Sequence, residues 1–143
     1  MATVLDEIAA HLAAAPDSVG TVGQTIHKGT LPEPEPNQTV GTMVAVYEYG
    51  GGPPNGGFSN PGLRDEMPGV QVVVRGGTPR DYNTPRTVAE TIYKKLAKVQ
   101  ATTLSGTRYR MIKPQQSPFL LERDGNGRVK IACNFMCEKE MSA

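Results

Sequence analysis

The chain has 143 residues, of which 38% are hydrophobic and 20% charged, and its formal net charge is +1. That size suits one domain over 1–143, and the apolar fraction is too high for a disordered chain. No apolar run approaches the roughly 18 residues of a membrane span, and the first seven residues lack the basic and apolar regions of a secretory signal, so a soluble protein is expected.

In chain order, residues 3–15 read as a helix. Thr3 and Asp6 have capping-box spacing, Leu5, Ile8, Ala9 and Leu12 recur at helical intervals, and Asp6 and Glu7 sit where the helix dipole favours acids. Pro16-Asp17 ends it. A short strand is expected near 25–30, followed by the acidic, polyproline-like connector Pro32-Glu33-Pro34-Glu35-Pro36. Residues 42–49 and the valine run 70–75 read as strands. Between them, residues 50–69 hold seven Gly and four Pro and are expected to form an extended loop, either an assembly contact or a plain insertion.

Thr84 as N-cap and Pro85 at the first position open a second helix with the stripe Val88, Ile92, Leu96 and Val99. Lys94, Lys95 and Lys98 crowd its C-terminal end, where the dipole favours cations. Strands follow at 107–113, 118–123 and 128–138. In the last, Val129, Ile131, Cys133, Phe135 and Cys137 alternate to one face, and Asp124-Gly125-Asn126-Gly127 before it is a hairpin turn. The order α-β-β-β-α-β-β-β with short links implies an α+β fold. The expected form is a small, mostly antiparallel sheet with both helices packed on one face and a long Gly/Pro-rich loop.

Catalytic and metal templates fail in turn. Gly52 and Gly57 have P-loop spacing, but Phe58-Ser59 stands where Lys-Ser/Thr belongs. Asp124-x-Asn126-Gly127 imitates a calcium loop, yet Phe135 occupies the bidentate Glu position. His11 and His27 lack a zinc context. Cys133 and Cys137 would stand about 13 Å apart on a strand, too far to bridge, so free thiols are expected. No catalytic residue, cofactor or metal site is expected.

Arginine stands out instead. Arg75, Arg80 and Arg86 flank the loop 76–85, while Arg108 and Arg110 share a strand face. These five are candidates for lumen or subunit-interface contacts with phosphates or a neighbour's carboxylates, against plain solvated charge. Charge is also divided along the chain, with a net of −6 over 1–74 and +7 over 75–143. The split provides a basic face for a polyanion, two complementary faces for self-assembly, or nothing if folding interleaves the halves.

The stretch Gly69-Val70-Gln71-Val72-Val73-Val74-Arg75-Gly76-Gly77 leads by a short loop to Thr84-Pro85-Arg86 and a helix bearing Tyr93. With Pro118-Phe119-Leu120-Leu121-Glu122-Arg123-Asp124-Gly125-Asn126-Gly127-Arg128 and Asn134-Phe135, it resembles the minor capsid and tail-terminator proteins of long-tailed bacteriophages over residues 69–137. The resemblance implies a non-enzymatic virion subunit, assembled in the host cytoplasm. It implies a homo-oligomeric ring, a hexamer, at the head-proximal end of the tail tube. Such a ring stops tube growth, meets the tail tube protein and the head-completion (connector) protein, and lets genomic DNA through its lumen. The alternatives are a head-completion or neck protein, or a small nucleic-acid-binding regulator whose DNA binding would be strongly salt-dependent.

Overall fold

A computed structural model of the protein describes residues 2–33, 41–56 and 64–141. The first helix, α1 (Val4–Ala13), is closed by the capping box: Thr3 Oγ1 accepts from Asp6 N, and Asp6 Oδ2 accepts from Thr3 N at 2.8 Å. Its buried face carries Val4, Ile8, Ala9 and Leu12, one stripe at helical spacing. Strand β1 (Ile26–Lys28) pairs parallel with β2 (Met43–Gly56). β2 and β3 (Arg64–Arg75) form a long antiparallel hairpin, and β3 then pairs with β7 (Val129–Glu140).

The second helix, α2 (Asn83–Ala97), is followed by β4 (Gln100–Leu104), β5 (Thr107–Pro114) and β6 (Phe119–Arg123). It begins one residue before Thr84, with Tyr82 and not Thr84 as its N-cap, and Asp81 Oδ1 accepts from Thr84 N at 3.2 Å. β5 and β6 tile the same edge of β7. β5 pairs with its C-terminal half and β6 with residues 129–132. The result is one seven-stranded sheet, β1-β2-β3-β7-β5-β4, with β6 on β7.

This corrects the expected fold class. More than twice as many residues lie in strands as in helices, and the protein is β-rich, with a curled seven-stranded sheet that mixes one parallel pairing with the antiparallel ones, rather than a small antiparallel sheet with helices packed on one face. Three causes are visible. Register shifts in β2, β5 and β6 add local twist. β1 joins in parallel. The hairpin runs through most of residues 50–69, which are strand on both sides of 57–63, and not the extended loop expected. Gly51 shows why glycine serves there: a Cβ on it would stand 1.8 Å from Met67 O. The two backbones pass too closely for any side chain. Pro53 and Pro54 are tolerated because they fall in the register shift between Gly52 and Asn55, where pairing with β3 is interrupted, and β1 reaches only Val46 on the other side of β2, so no ladder donor is lost. The Pro-Glu connector beyond Glu33 and the segment 57–63 lie outside the described residues.

The core gathers Val44, Val46, Val70, Val72, Val74, Ile131 and Phe135 from the sheet with Ile8, Leu12, Ile92 and Leu96 from the helices, each worth about 1.5–3 kcal/mol of burial. Ala45, Val73 and Ala132 register as a row on the opposite face and are buried as well. On that face Arg75 Nη1 donates to Pro32 O at 2.6 Å, tying down the chain that follows β1.

Cys133 and Cys137 are free thiols inside this core, and burial pushes both up to about 12. The folded state therefore holds their protons more tightly than the unfolded chain does. Their contribution to stability is complete below the ordinary thiol range and is lost as pH rises toward 12. A thiol-specific disulfide reagent at pH 8 is expected to label neither until the chain unfolds; labelling of folded protein within the mixing time contradicts this burial.

Candidate assembly surface

Register along β7 places each of the five arginines. Arg75 pairs with Lys130 and Tyr109 pairs with Lys139, nine residues or about 30 Å apart along the strand. Arg75, Arg80 and Arg86 therefore lie toward one end of the sheet and Arg108 and Arg110 toward the other. They do not form one patch.

Their environments also differ. Arg75 is buried and its Nε has no partner, and desolvation lowers its pKa. Arg80 is exposed at φ 68, its N–H donating to Gly127 O, so its backbone closes loop 76–82 onto the Asp124–Arg128 turn. Arg86 Nη1 holds Glu90 at 2.6 Å, one turn along α2. Arg110 pairs with Asp65, while Arg108 is exposed opposite Thr103 on β4. Among the described residues, Arg80 and Arg108 are the two of the five whose side chains have neither an ion pair nor burial.

The end of the sheet near Arg108 holds a polar cluster that sequence reasoning missed. The alternation of β7 carries on past Cys137, so Lys139 also points inward and is 2% exposed. Lys139 Nζ lies 2.8 Å from Glu7 Oε1 and 3.4 Å from Glu66 Oε1. Tyr109 OH donates to the same Glu7 oxygen at 2.9 Å, and Lys139 Nζ sits 5.5 Å from the Tyr109 ring centroid. Burial comes first, and the Glu7 charge second, in pushing the Tyr109 hydroxyl far above its ordinary range. Glu7 Oε2 has no partner, so this carboxylate depends on Lys139 for charge compensation. The period-two pattern was the available signal, since it predicts residue 139 on the core face.

On the opposite face of the same three strands, Asp65 on β3 and Glu140 on β7 are register partners, and Arg110 on β5 reaches Asp65. The hydrogen bond and charge of Asp65 hold the Arg110 pKa above its ordinary value, with the charges of Glu140 and Glu138 adding to the effect. Three ion pairs, Lys139–Glu7, Lys139–Glu66 and Arg110–Asp65, thus join the basic half of the sequence to the acidic half inside one subunit. Part of the linear charge split is spent internally.

Besides the outer sides of the terminal strands β1 and β4, two unpaired sheet edges remain among the described residues. One is the outer edge of β2 from Tyr47 to Gly56, which β1 does not reach. The other is the outer edge of β6, where Leu120 and Leu121 are 45% and 42% exposed. Near the first, Glu48, Glu66, Pro68, Lys139 and Met141 line a cleft of about 300 Å³. The two edges differ in composition, one glycine-rich and one bearing adjacent leucines. Open ladders of this kind are surfaces on which another chain can pair.

A family model described as bacteriophage tail terminator protein matches residues 16–140. No curated protein matches the chain at a significant level. Among solved structures, a chain in the virion of a native gene transfer agent particle has a TM-score of 0.55 at 15% identity, with 94% of this chain and 84% of that chain covered. At that identity the likeness is one of fold.

Proposed function

The chain belongs to the bacteriophage tail terminator family, a family of structural virion proteins of the tail. From that premise we propose that copies of it close into a ring, a hexamer, on the head-proximal end of the tail tube. The ring stops tube growth, joins the tail to the head-completion (connector) protein and lets genomic DNA through its lumen. Assembly takes place in the bacterial host cytoplasm.

The observation that carries this reading is the family match over nearly the whole fold. The two unlike open edges support it, because a closed ring is built from heterologous contacts and each subunit needs two different surfaces. The arginine expectation narrows accordingly. Arg80 and Arg108, the two with unengaged side chains, are proposed to face DNA or a neighbouring subunit, whereas Arg75, Arg86 and Arg110 serve the fold.

Charge reversal tests the arginine assignment. Arg108→Glu is expected to leave the monomer's melting temperature unchanged and to lower DNA retention in assembled particles or the ring fraction. Arg86→Glu disturbs only its helix pair. Equal assembly and DNA retention in wild type and Arg108→Glu would remove Arg108 from the proposal. For the function itself, purified protein added to growing tail tubes is expected to arrest them; tubes that lengthen at the same rate with and without it contradict the reading.

A further inference from the structure

Asp65 and Glu66 are consecutive on β3, so alternation sends their carboxylates to opposite faces of the sheet. Each meets a cation from the basic half of the chain. Asp65, with 11% of its side chain exposed, pairs with Arg110 on one face. Glu66 faces Lys139 at 3.4 Å on the other, and Lys139 is itself held by Glu7. Two neighbouring residues of one strand are therefore gripped from both sides, by β5 and by β7.

The ladder explains why a grip is needed there. β3 pairs with β7 from Arg75 to Gly69 and again at Glu66 and Asp65, with no pairing at Met67 and Pro68. Pro68 has no N–H to give. On the other side, β2 follows β3 through two register shifts between Tyr49 and Asn55, and such shifts bend a strand. Past Gly69, the end of the hairpin is thus held on the sheet by a short stretch of ladder and by these side chains. The outer edge of β2 beside it is the open edge described above.

We infer that Asp65–Arg110 and Glu66–Lys139 form a two-faced clamp that fixes the hairpin end on the sheet, and that ring assembly depends on the edge so positioned. This rests on the ring reading above and deepens it: Arg110 is a positioning residue, not a DNA contact.

The test combines Arg110→Glu, Arg110→Lys and the reversed pair Asp65→Arg/Arg110→Glu in the full chain. Amide hydrogen exchange at 50–52 and 65–69 and the ring fraction by sedimentation are the readouts. Arg110 is half exposed, so its two single variants are expected to fold, and melting curves check the fold of all three. Arg110→Glu is expected to speed exchange in those segments by about tenfold, equivalent to about 1.4 kcal/mol of local opening, and to deplete the ring. Arg110→Lys retains most of both properties, and the reversed pair restores both. Unchanged exchange in Arg110→Glu overturns the clamp. Faster exchange with undiminished ring assembly overturns the positioning role while leaving the ring reading intact. Absence of a ring from wild type overturns the ring reading and the positioning role, and exchange then still decides the clamp. A reversed pair that folds but restores neither readout assigns Arg110 another role and sinks the inference.

Discussion

Lys139→Ala is expected to lower stability by about 3–5 kcal/mol, the scale found when one partner of a buried ion pair is removed. The reason lies in the carboxylate left behind. Glu7 is fully buried, one of its oxygens already lacks a partner, and the other would keep only the Tyr109 hydroxyl. With the Lys139 ammonium gone, an uncompensated carboxylate would sit at a fully buried position. The pair itself need not be strongly stabilising. The triple variant Glu7→Leu/Tyr109→Phe/Lys139→Met, which leaves no buried charge or hydroxyl orphaned and only the solvent-reachable Glu66 without its partner, is expected to recover most of the loss. Urea titration of the three proteins decides the matter. A loss below about 1 kcal/mol for Lys139→Ala, the scale of an exposed pair, would show that Glu7 finds water or another donor and that the buried cluster is not as described.

Gly51→Val carries the largest expected effect on assembly. Its Cβ would meet Met67 O at 1.8 Å and Pro68 Cα at 2.8 Å, and backbone atoms cannot rotate away as a side chain can. β2 and β3 must separate there, at a cost of about 1–3 kcal/mol, and the hairpin end is displaced with them. Ring formation is expected to be lost while the core domain still melts cooperatively. Gly50→Ala is the control: its Cβ would meet nothing within 4 Å, so stability and assembly should both stay near wild type. A Gly51→Val protein that assembles as well as Gly50→Ala contradicts the close strand crossing.

Both sites show what the sequence made legible and what it hid. The capping box of α1, the alternation of β7 and the Asp124–Gly127 turn rest on neighbours within a few residues, and each appears in the structure where local rules put it. The strand residues at 50–56 and 64–69 were hidden because glycine and proline count as breakers along a strand. Their use here is tertiary: Gly51 admits a second backbone, and the consecutive prolines of β2 fall where its pairing with β3 is interrupted and its other edge has no partner. β4 was hidden because Gln100–Leu104 shows no apolar alternation and Ala101 has φ 47. The capping-box acid Asp6 and its neighbour Glu7 looked alike in the first turn of α1, yet one faces Lys28 at the surface and the other lies beneath Lys139. The arginines around loop 76–85 and those on the strand at 107–113 were candidates for one role, whereas strand register separates the two sets by the length of β7. The charge split was legible as a sum, but which acid meets which base depended on β3, β5 and β7 lying side by side.

Imaging tail tubes assembled with this protein by electron cryomicroscopy, with the subunit marked by a C-terminal tag, tests the assignment most directly. Density for a closed six-fold ring of the tagged chain at one end of each tube is the predicted result. Tubes that carry the tag along their length, or lack it at both ends while the protein stays monomeric in the same solution, would contradict it.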